Sequence, residues 1–235
     1  LAPPYPDICL ATGRRAVSYL RALKALSPST FTVFFKDPRT KRHGADLVVV
    51  QQHDRARHAG ALTVVTAPNR ITTEALDRIR RAPPADLAGL PHPRVAVLVG
   101  GDSRHHRFTP RDIDAFLAGL RTMRAAGAGL MITTSRRTPG ALAAALAALA
   151  GDADVRLWDG TGENPLLSYL ALADIVVVTA DSTNMIGEAA ATGRPLQIFH
   201  PSGGHAKTER LIAALSDVAT VRPFPTTDAG APYPP

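Results

Sequence analysis

A single cysteine, Cys9, in 235 residues excludes an internal disulfide and any thiolate metal cluster. Its place in the apolar run ICLA gives it the character of a small buried hydrophobe. Aromatic residues are sparse at 5%, while Ala, Val and Leu are plentiful, which favours Ala-rich helices packed on strands over an aromatic-rich β barrel. No stretch reaches the roughly 20 apolar residues that span a membrane. Several chemical signatures are missing as well. There is no GxGxxG fingerprint, no phosphate loop ending in GK[ST], and no GxSxG elbow for a serine nucleophile. His105-His106 and His200 with His205 lack a third ligand at metal-binding spacing, and no Cys/His finger or basic-aromatic interleaving points to nucleic acid. The chain opens on LAPPYPD, without a basic region followed by an apolar signal segment, and reads as truncated at its amino terminus, so it is silent on targeting.

What is present suits a buried core: 45% of residues are hydrophobic, enough for one large domain or two small ones. The formal charge of +7 lies entirely in one half. Residues 1–90 carry 14 Arg/Lys against 7 Asp/Glu, and residues 91–235 carry 13 of each. A basic amino-terminal part suggests two units, the first facing an anionic partner such as lipid headgroups. The expected location is cytoplasmic, at the inner face of the membrane.

Apolar periodicity predicts strands at Asp7–Thr12, Thr30–Phe35, Asp46–Val50 and Ala61–Thr66, and helices at Arg14–Leu26 and Thr72–Arg81. The Pro-rich run APPADLAGLPHP then marks a linker at residues 85–94, dividing a partial amino-terminal domain (1–84) from a carboxyl-terminal one (95–222) with a loose tail (223–235). The second domain is regular. Strands VAVLVG, LMITT, VRLW, IVVVT and LQIF are each followed by a helix, and continuous apolar strands of this kind make a parallel sheet covered on both faces. Right-handed crossovers put all five post-strand loops on one edge. The expected fold class is therefore α/β with Rossmann-like domains, the first incomplete.

The loops hold the candidate chemistry. Gly100-Gly101-Asp102-Ser103 is either a tight turn or a place where backbone N–H groups approach a diphosphate. Ser135, Arg136, Arg137 and Thr138 precede a helix, where cations oppose the helix dipole and therefore call for an anionic partner, a ligand or a carboxylate. Asp181 or Ser182 caps the helix that carries Glu188, with the next hydroxyls, such as that of Thr183, facing the cleft, and the Glu188 carboxylate is either solvated or bonded to a ribose diol. In the first domain, His53 with Asp54 beside it, or with Asp37 as the orienting carboxylate, has the chemistry of a general base, against the plainer reading of a loop histidine.

The combination of KDPR (Lys36–Arg39), DLVVVQQHD (Asp46–Asp54), GGDS at Gly100, ITTSRRTP (Ile132–Pro139) and VTADSTNMIGEAAATGRPLQIF (Val178–Phe199) resembles the mitochondrial-fission ELM-type family, which in turn resembles glycosyltransferases of the two-Rossmann-domain GT-B type. That resemblance implies a nucleotide-diphosphate sugar held by the second domain, through Glu188 at the ribose, Asp181, Ser182 and Thr183 facing phosphates or sugar, and Arg136 at the diphosphate. An acceptor of unknown identity, membrane-associated or small, would meet His53, Asp37 and Asp54. It also implies two alternatives to glycosyl transfer: a non-enzymatic adaptor that recruits a protein partner, and a sugar-nucleotide epimerase, for which only one credible base is present.

Overall fold

The computed structural model describes residues 1–54 and 59–235, which divide into two units, Leu1–Ala67 and Pro68–Pro235. The first contains strand β1 (Ile8–Thr12), helix α1 (Ala16–Leu26) and strands β2 (Phe31–Phe35), β3 (Leu47–Gln51) and β4 (Leu62–Val64). These strands form a parallel sheet in the order β1-β2-β3-β4. Residues 36–46 cross from β2 to β3 without a helix, and Asp46 anchors their end by accepting from Lys24 Nζ (2.7 Å) and from the Thr32 N–H (2.8 Å) and hydroxyl (2.9 Å). The Lys24 contact, ahead of the other causes, holds the Asp46 carboxyl below its ordinary range. At the sheet edge β1 leaves Ile8 and Leu10 62% and 64% exposed.

The second unit begins with helix α2 (Thr73–Arg81), capped by the Thr72 hydroxyl, and the short α3 (Ala85–Ala88). Strand β5 (Arg94–Leu98), the two-residue β6 (His106–Arg107), α4 (Pro110–Ala125), β7 (Gly129–Thr133), α5 (Gly140–Leu149), β8 (Val155–Trp158), α6 (Leu166–Leu172), β9 (Ile175–Thr179), α7 (Thr183–Ala190), β10 (Leu196–Phe199), β11 (Ser202–Gly203), α8 (Ala206–Ser216) and β12 (Val221–Pro223) follow. The main sheet runs β12-β10-β9-β5-β7-β8, and all its strand pairs are parallel among the described residues. Its first strand is central and its fourth lies on the other side, the doubly wound arrangement in which the chain reverses direction between β5 and β9. Val95, Val97, Ile132, Val177 and Leu142 are buried in the core between sheet and helices. Each such side chain contributes about 1.5–3 kcal/mol by leaving water, which is why these strands need no alternating polar face.

Two boundaries differ from the sequence reading. The division falls at Ala67 rather than in residues 85–94, because α2 packs on α6 and Arg80 donates to the Ala171 carbonyl (2.9 Å). The Pro-rich tail is docked: the Tyr233 hydroxyl donates to Ala190 O (3.0 Å) and its N–H to Gly193 O (2.9 Å). Burial of that phenol pushes its ionisation upward.

Candidate functional site

Ligands in open parallel sheets collect where the strand order reverses, outside the carboxyl ends of the strands. Here that place is bounded by the loops after β5, β7 and β9. Thr179, the last residue of β9, accepts a hydrogen bond from Gly100 N–H (2.8 Å) and donates its hydroxyl to Asp181 Oδ1 (2.6 Å). Asp181 Oδ2 in turn accepts from Gly101 N–H (3.0 Å) and from Arg137 Nη2 (2.7 Å). The Ser135 and Thr138 hydroxyls both donate to Gly100 O (2.9 and 2.6 Å), while Arg137 O accepts from Asp102 N–H (3.1 Å). The three loops are thus laced directly to one another.

That lacing explains the glycines. A Cβ on Gly100 would lie 2.2 Å from the Asp181 carboxylate, and one on Gly101 would lie 1.9 Å from Arg137 O. Both positions are bare because the neighbouring loops occupy the space, whatever else binds there. The side chain of Asp181 has 0% exposure, and its oxygens meet three protein donors. Expected to face phosphates or sugar, it is instead the brace of the cradle, since a carboxylate so engaged has no donor to offer an anion.

The two adjacent arginines separate. The Ser135–Thr138 turn, closed by Thr138 N–H to Ser135 O (3.0 Å), aims Arg137 back at Asp181 and leaves Arg136 exposed, with no hydrogen bond or ion pair among the described residues. Ser182 caps α7 by accepting from Met185 N–H (3.4 Å), and Thr183 beside it is half-buried. Glu188, one turn beyond Met185, is half-buried, its carboxylate makes no hydrogen bond or ion pair among the described residues, and burial raises that carboxyl above the usual range. Met185 and Ser135 line a cavity of about 140 Å³ with Trp158, Asn164 and Leu166 at the ends of β5, β7 and β8. A larger groove of about 690 Å³ along α4, lined by Ala118, Gly119, Met123 and Pro225, lies away from the cradle and is largely apolar. We place the candidate site at the cradle because the strand order reverses there, at the carboxyl ends of β5 and β9.

In the first unit, His53 and Asp54 follow β3, and Asp37 follows the adjacent β2, so all three lie at the carboxyl edge of that sheet. His53 is 4% exposed, and Asp37 accepts from Arg39 N–H (2.7 Å) in a local turn. The sequence reading missed Thr179 and Thr138 as ties and gave no role to the histidine loops. Threonine at a strand end was the available signal, because its hydroxyl both donates and accepts.

The profile of the family described as Mitochondrial fission ELM1 matches residues 1–235. Mitochondrial fission protein ELM1 of Arabidopsis thaliana is 28% identical over 244 residues, covering 93% of this chain and 57% of that protein. An uncharacterised protein of Rickettsia prowazekii is 31% identical over 112 residues, covering 45% of this chain and 31% of its own length. The chain therefore spans 57% of the plant relative and 31% of the bacterial one. Among solved structures, a candidate UDP-N-acetylglucosamine 2-epimerase from Listeria monocytogenes superposes with a TM-score of 0.51 at 11% identity, over 92% of this chain and 62% of that chain. The likeness is one of fold: Rossmann-like units with parallel sheets, as in GT-B proteins.

Proposed function

The chain belongs to the mitochondrial fission ELM1 family, and from that premise we propose that its second unit binds a nucleoside-diphosphate sugar and that the protein is a glycosyltransferase of GT-B type. The carrying observation is Glu188, a half-buried carboxylate without a protein partner on the helix that follows the switch-point strand. A ribose diol would supply the two donors it lacks. Arg136 would meet the diphosphate, aided by the amino end of α7 at Ser182 and Thr183. Gly100, Gly101, Ser135 and Asp181 would hold the loops in place. In the reaction proposed, a general base, the role the family resemblance gives to His53 with Asp37 or Asp54, takes the acceptor hydroxyl proton as the oxygen bonds to the anomeric carbon. The bond from that carbon to the diphosphate breaks, and the nucleoside diphosphate leaves with the electron pair, its charge met by Arg136.

Calorimetry with UDP and the other common nucleoside diphosphates tests the binding step. Saturable binding should weaken in Glu188→Ala by about 10–100-fold, the equivalent of about 1.5–3 kcal/mol for hydrogen bonds to a charged group. No binding by any of them to the intact protein would end this reading. One observation favours a non-enzymatic adaptor instead: the cradle satisfies its own polar groups without a ligand. An adaptor would retain its protein partner after changes at Glu188 and His53, and sugar turnover abolished by His53→Ala would exclude it.

A further inference from the structure

Beside the cradle, the turn Arg104-His105-His106-Arg107 after β5 is zipped to the loop His200–His205 after β10. The short strands β6 and β11 pair antiparallel, and Gly204 N–H donates to His105 O (2.8 Å). Gly203, at φ +101°, has no room for a side chain because His105 O would lie 2.2 Å from its Cβ. This close approach seats the rings of His105 and His205 with centroids 4.2 Å apart. His205 Nδ1 accepts from Lys207 N–H (3.2 Å) at the start of α8.

Arg104 and Arg107 are exposed, and their side chains make no hydrogen bond or ion pair among the described residues. The nearby carboxylates are occupied. Asp102 accepts from Phe108 N–H (2.9 Å), and Asp112 accepts from Thr109 (2.8 Å from N–H) and Ser202 N–H (3.1 Å). Asp181 holds Arg137, and Glu209 lies 3.7 Å from His200 Nδ1. Arg104 acts electrostatically on His105, Arg107 lies two residues further along the same segment, and α8 brings Lys207 next to His205, with each of these carboxylates already engaged among the described residues.

We infer that this clasp is a second anion site, taking a phosphate-class group, a phosphomonoester or phosphodiester, with uptake of a proton by the His105–His205 pair. Two imidazoles in ring contact cannot both become cationic unless an anion is added, and a dianion supplies that charge while Arg104 and Arg107 fix it in place. Burial, then His205 and Arg104, lower the His105 pKa; burial, then the neighbouring His105 and His200 against Asp181 and Glu209, lower that of His106. The site is separate from the proposed nucleotide contacts at Glu188 and Arg136.

Sulfate is the first probe, because its charge does not change near neutral pH. Titrated calorimetrically into the whole chain, it should bind about 5–30-fold more tightly at pH 6.0 than at pH 7.5, the upper bound being one proton taken up across that interval. R104Q/R107Q should weaken it at least about tenfold at both pH values, and H105Q/H205N should flatten the pH dependence while Asn keeps the cap of α8. The Trp158 unfolding midpoint verifies that each variant is folded. Phosphatidylglycerol vesicles that retain the protein where phosphatidylcholine vesicles do not would assign the group to a lipid headgroup. Binding of sulfate and inorganic phosphate without such retention would assign it to a free phosphoester. Absence of saturable sulfate binding, an unchanged isotherm in R104Q/R107Q, or a pH dependence that survives H105Q/H205N would overturn the site. UDP failing to bind while sulfate does would sink the nucleotide reading and leave this one standing.

Discussion

Asp181→Asn should destabilise the second unit by about 2–4 kcal/mol, although it removes one charge and almost no volume. The carboxylate receives Thr179 Oγ1 (2.6 Å), Gly101 N–H (3.0 Å) and Arg137 Nη2 (2.7 Å) with its side chain fully enclosed. An amide offers one accepting oxygen, so its NH2 must face at least one of these donors. Thr179 can rotate its hydroxyl; a backbone N–H cannot, and a buried donor left unmet costs about 1–3 kcal/mol. The Arg137 half of the pair is 43% exposed, so the ionic part is screened and adds no more than about 1 kcal/mol. Trp158, the only tryptophan, sits on β8 of this unit, so its fluorescence in urea follows the relevant transition even if the first unit unfolds separately. The thermal midpoint should fall by about 5–15 °C for a unit of this size. Combined with Arg137→Gln, the double variant should lose less than the sum of the singles, because both changes break one contact. A shift below about 0.5 kcal/mol, the level of an ordinary surface change, would refute the claim that Asp181 braces the cradle.

Gly101→Ala should cost about 1–3 kcal/mol by overpacking, since its Cβ would meet Arg137 O at 1.9 Å; an unchanged urea midpoint would show that the loops shift freely. Because the folded-state pKa values of His105 and His106 are lowered from 6.5, their contribution to stability is present above pH 6.5 and is lost as pH falls below it toward the folded values. The urea midpoint should therefore decline between pH 7 and pH 5.5, and less so in H105Q/H106Q. Glu188 has the opposite sign: a carboxyl raised above 4.5 favours the folded state when protonated, and that advantage disappears as pH rises through its folded value. Glu188→Gln should then raise the thermal midpoint of the unliganded protein at pH 7 while weakening nucleotide binding. Ile8→Lys with Leu10→Lys should reduce concentration-dependent association on size-exclusion chromatography, because β1 presents both apolar side chains at a sheet edge.

The doubly wound sheet was legible because its strands are continuous apolar runs buried on both faces, and burial on both faces leaves a mark at every residue. The strand expected at VRLW recurs as Val155–Trp158, and a helix precedes and follows it. The domain division was not legible, because α2 has an amphipathic pattern that fits either unit; its packing on α6, with Arg80 bonded to Ala171, decides it. Adjacent Arg136 and Arg137 are equivalent as letters, and the four-residue turn that sends one inward and the other outward depends on Gly100 O, 35 residues away along the chain from Ser135. The strands β6 and β11 are two residues each and pair across most of the unit, so neither has a local signal.

The two acidic residues at the switch point differ in how their burial is answered. Asp181 is enclosed and fully partnered, and its charge is answered by Arg137, so it adds rigidity to the loops without leaving a field for an incoming diphosphate to oppose. Glu188 is partly withdrawn from water with nothing in exchange, an arrangement that costs stability unless something else binds. Arg136 is its counterpart in sign, a cation placed before a helix that disfavours it, with no carboxylate to hold it. A polyol beside the one and an anion beside the other would relieve both, and a nucleoside diphosphate carries those two groups at its two ends. The cavity against Trp158, at about 140 Å³, is well below the roughly 300 Å³ at which small-molecule pockets begin, so it would admit only a fragment such as the edge of a base. Recognition at this cradle would therefore rest on Glu188 and Arg136 more than on enclosure, which is why changing either single side chain should weaken binding so sharply.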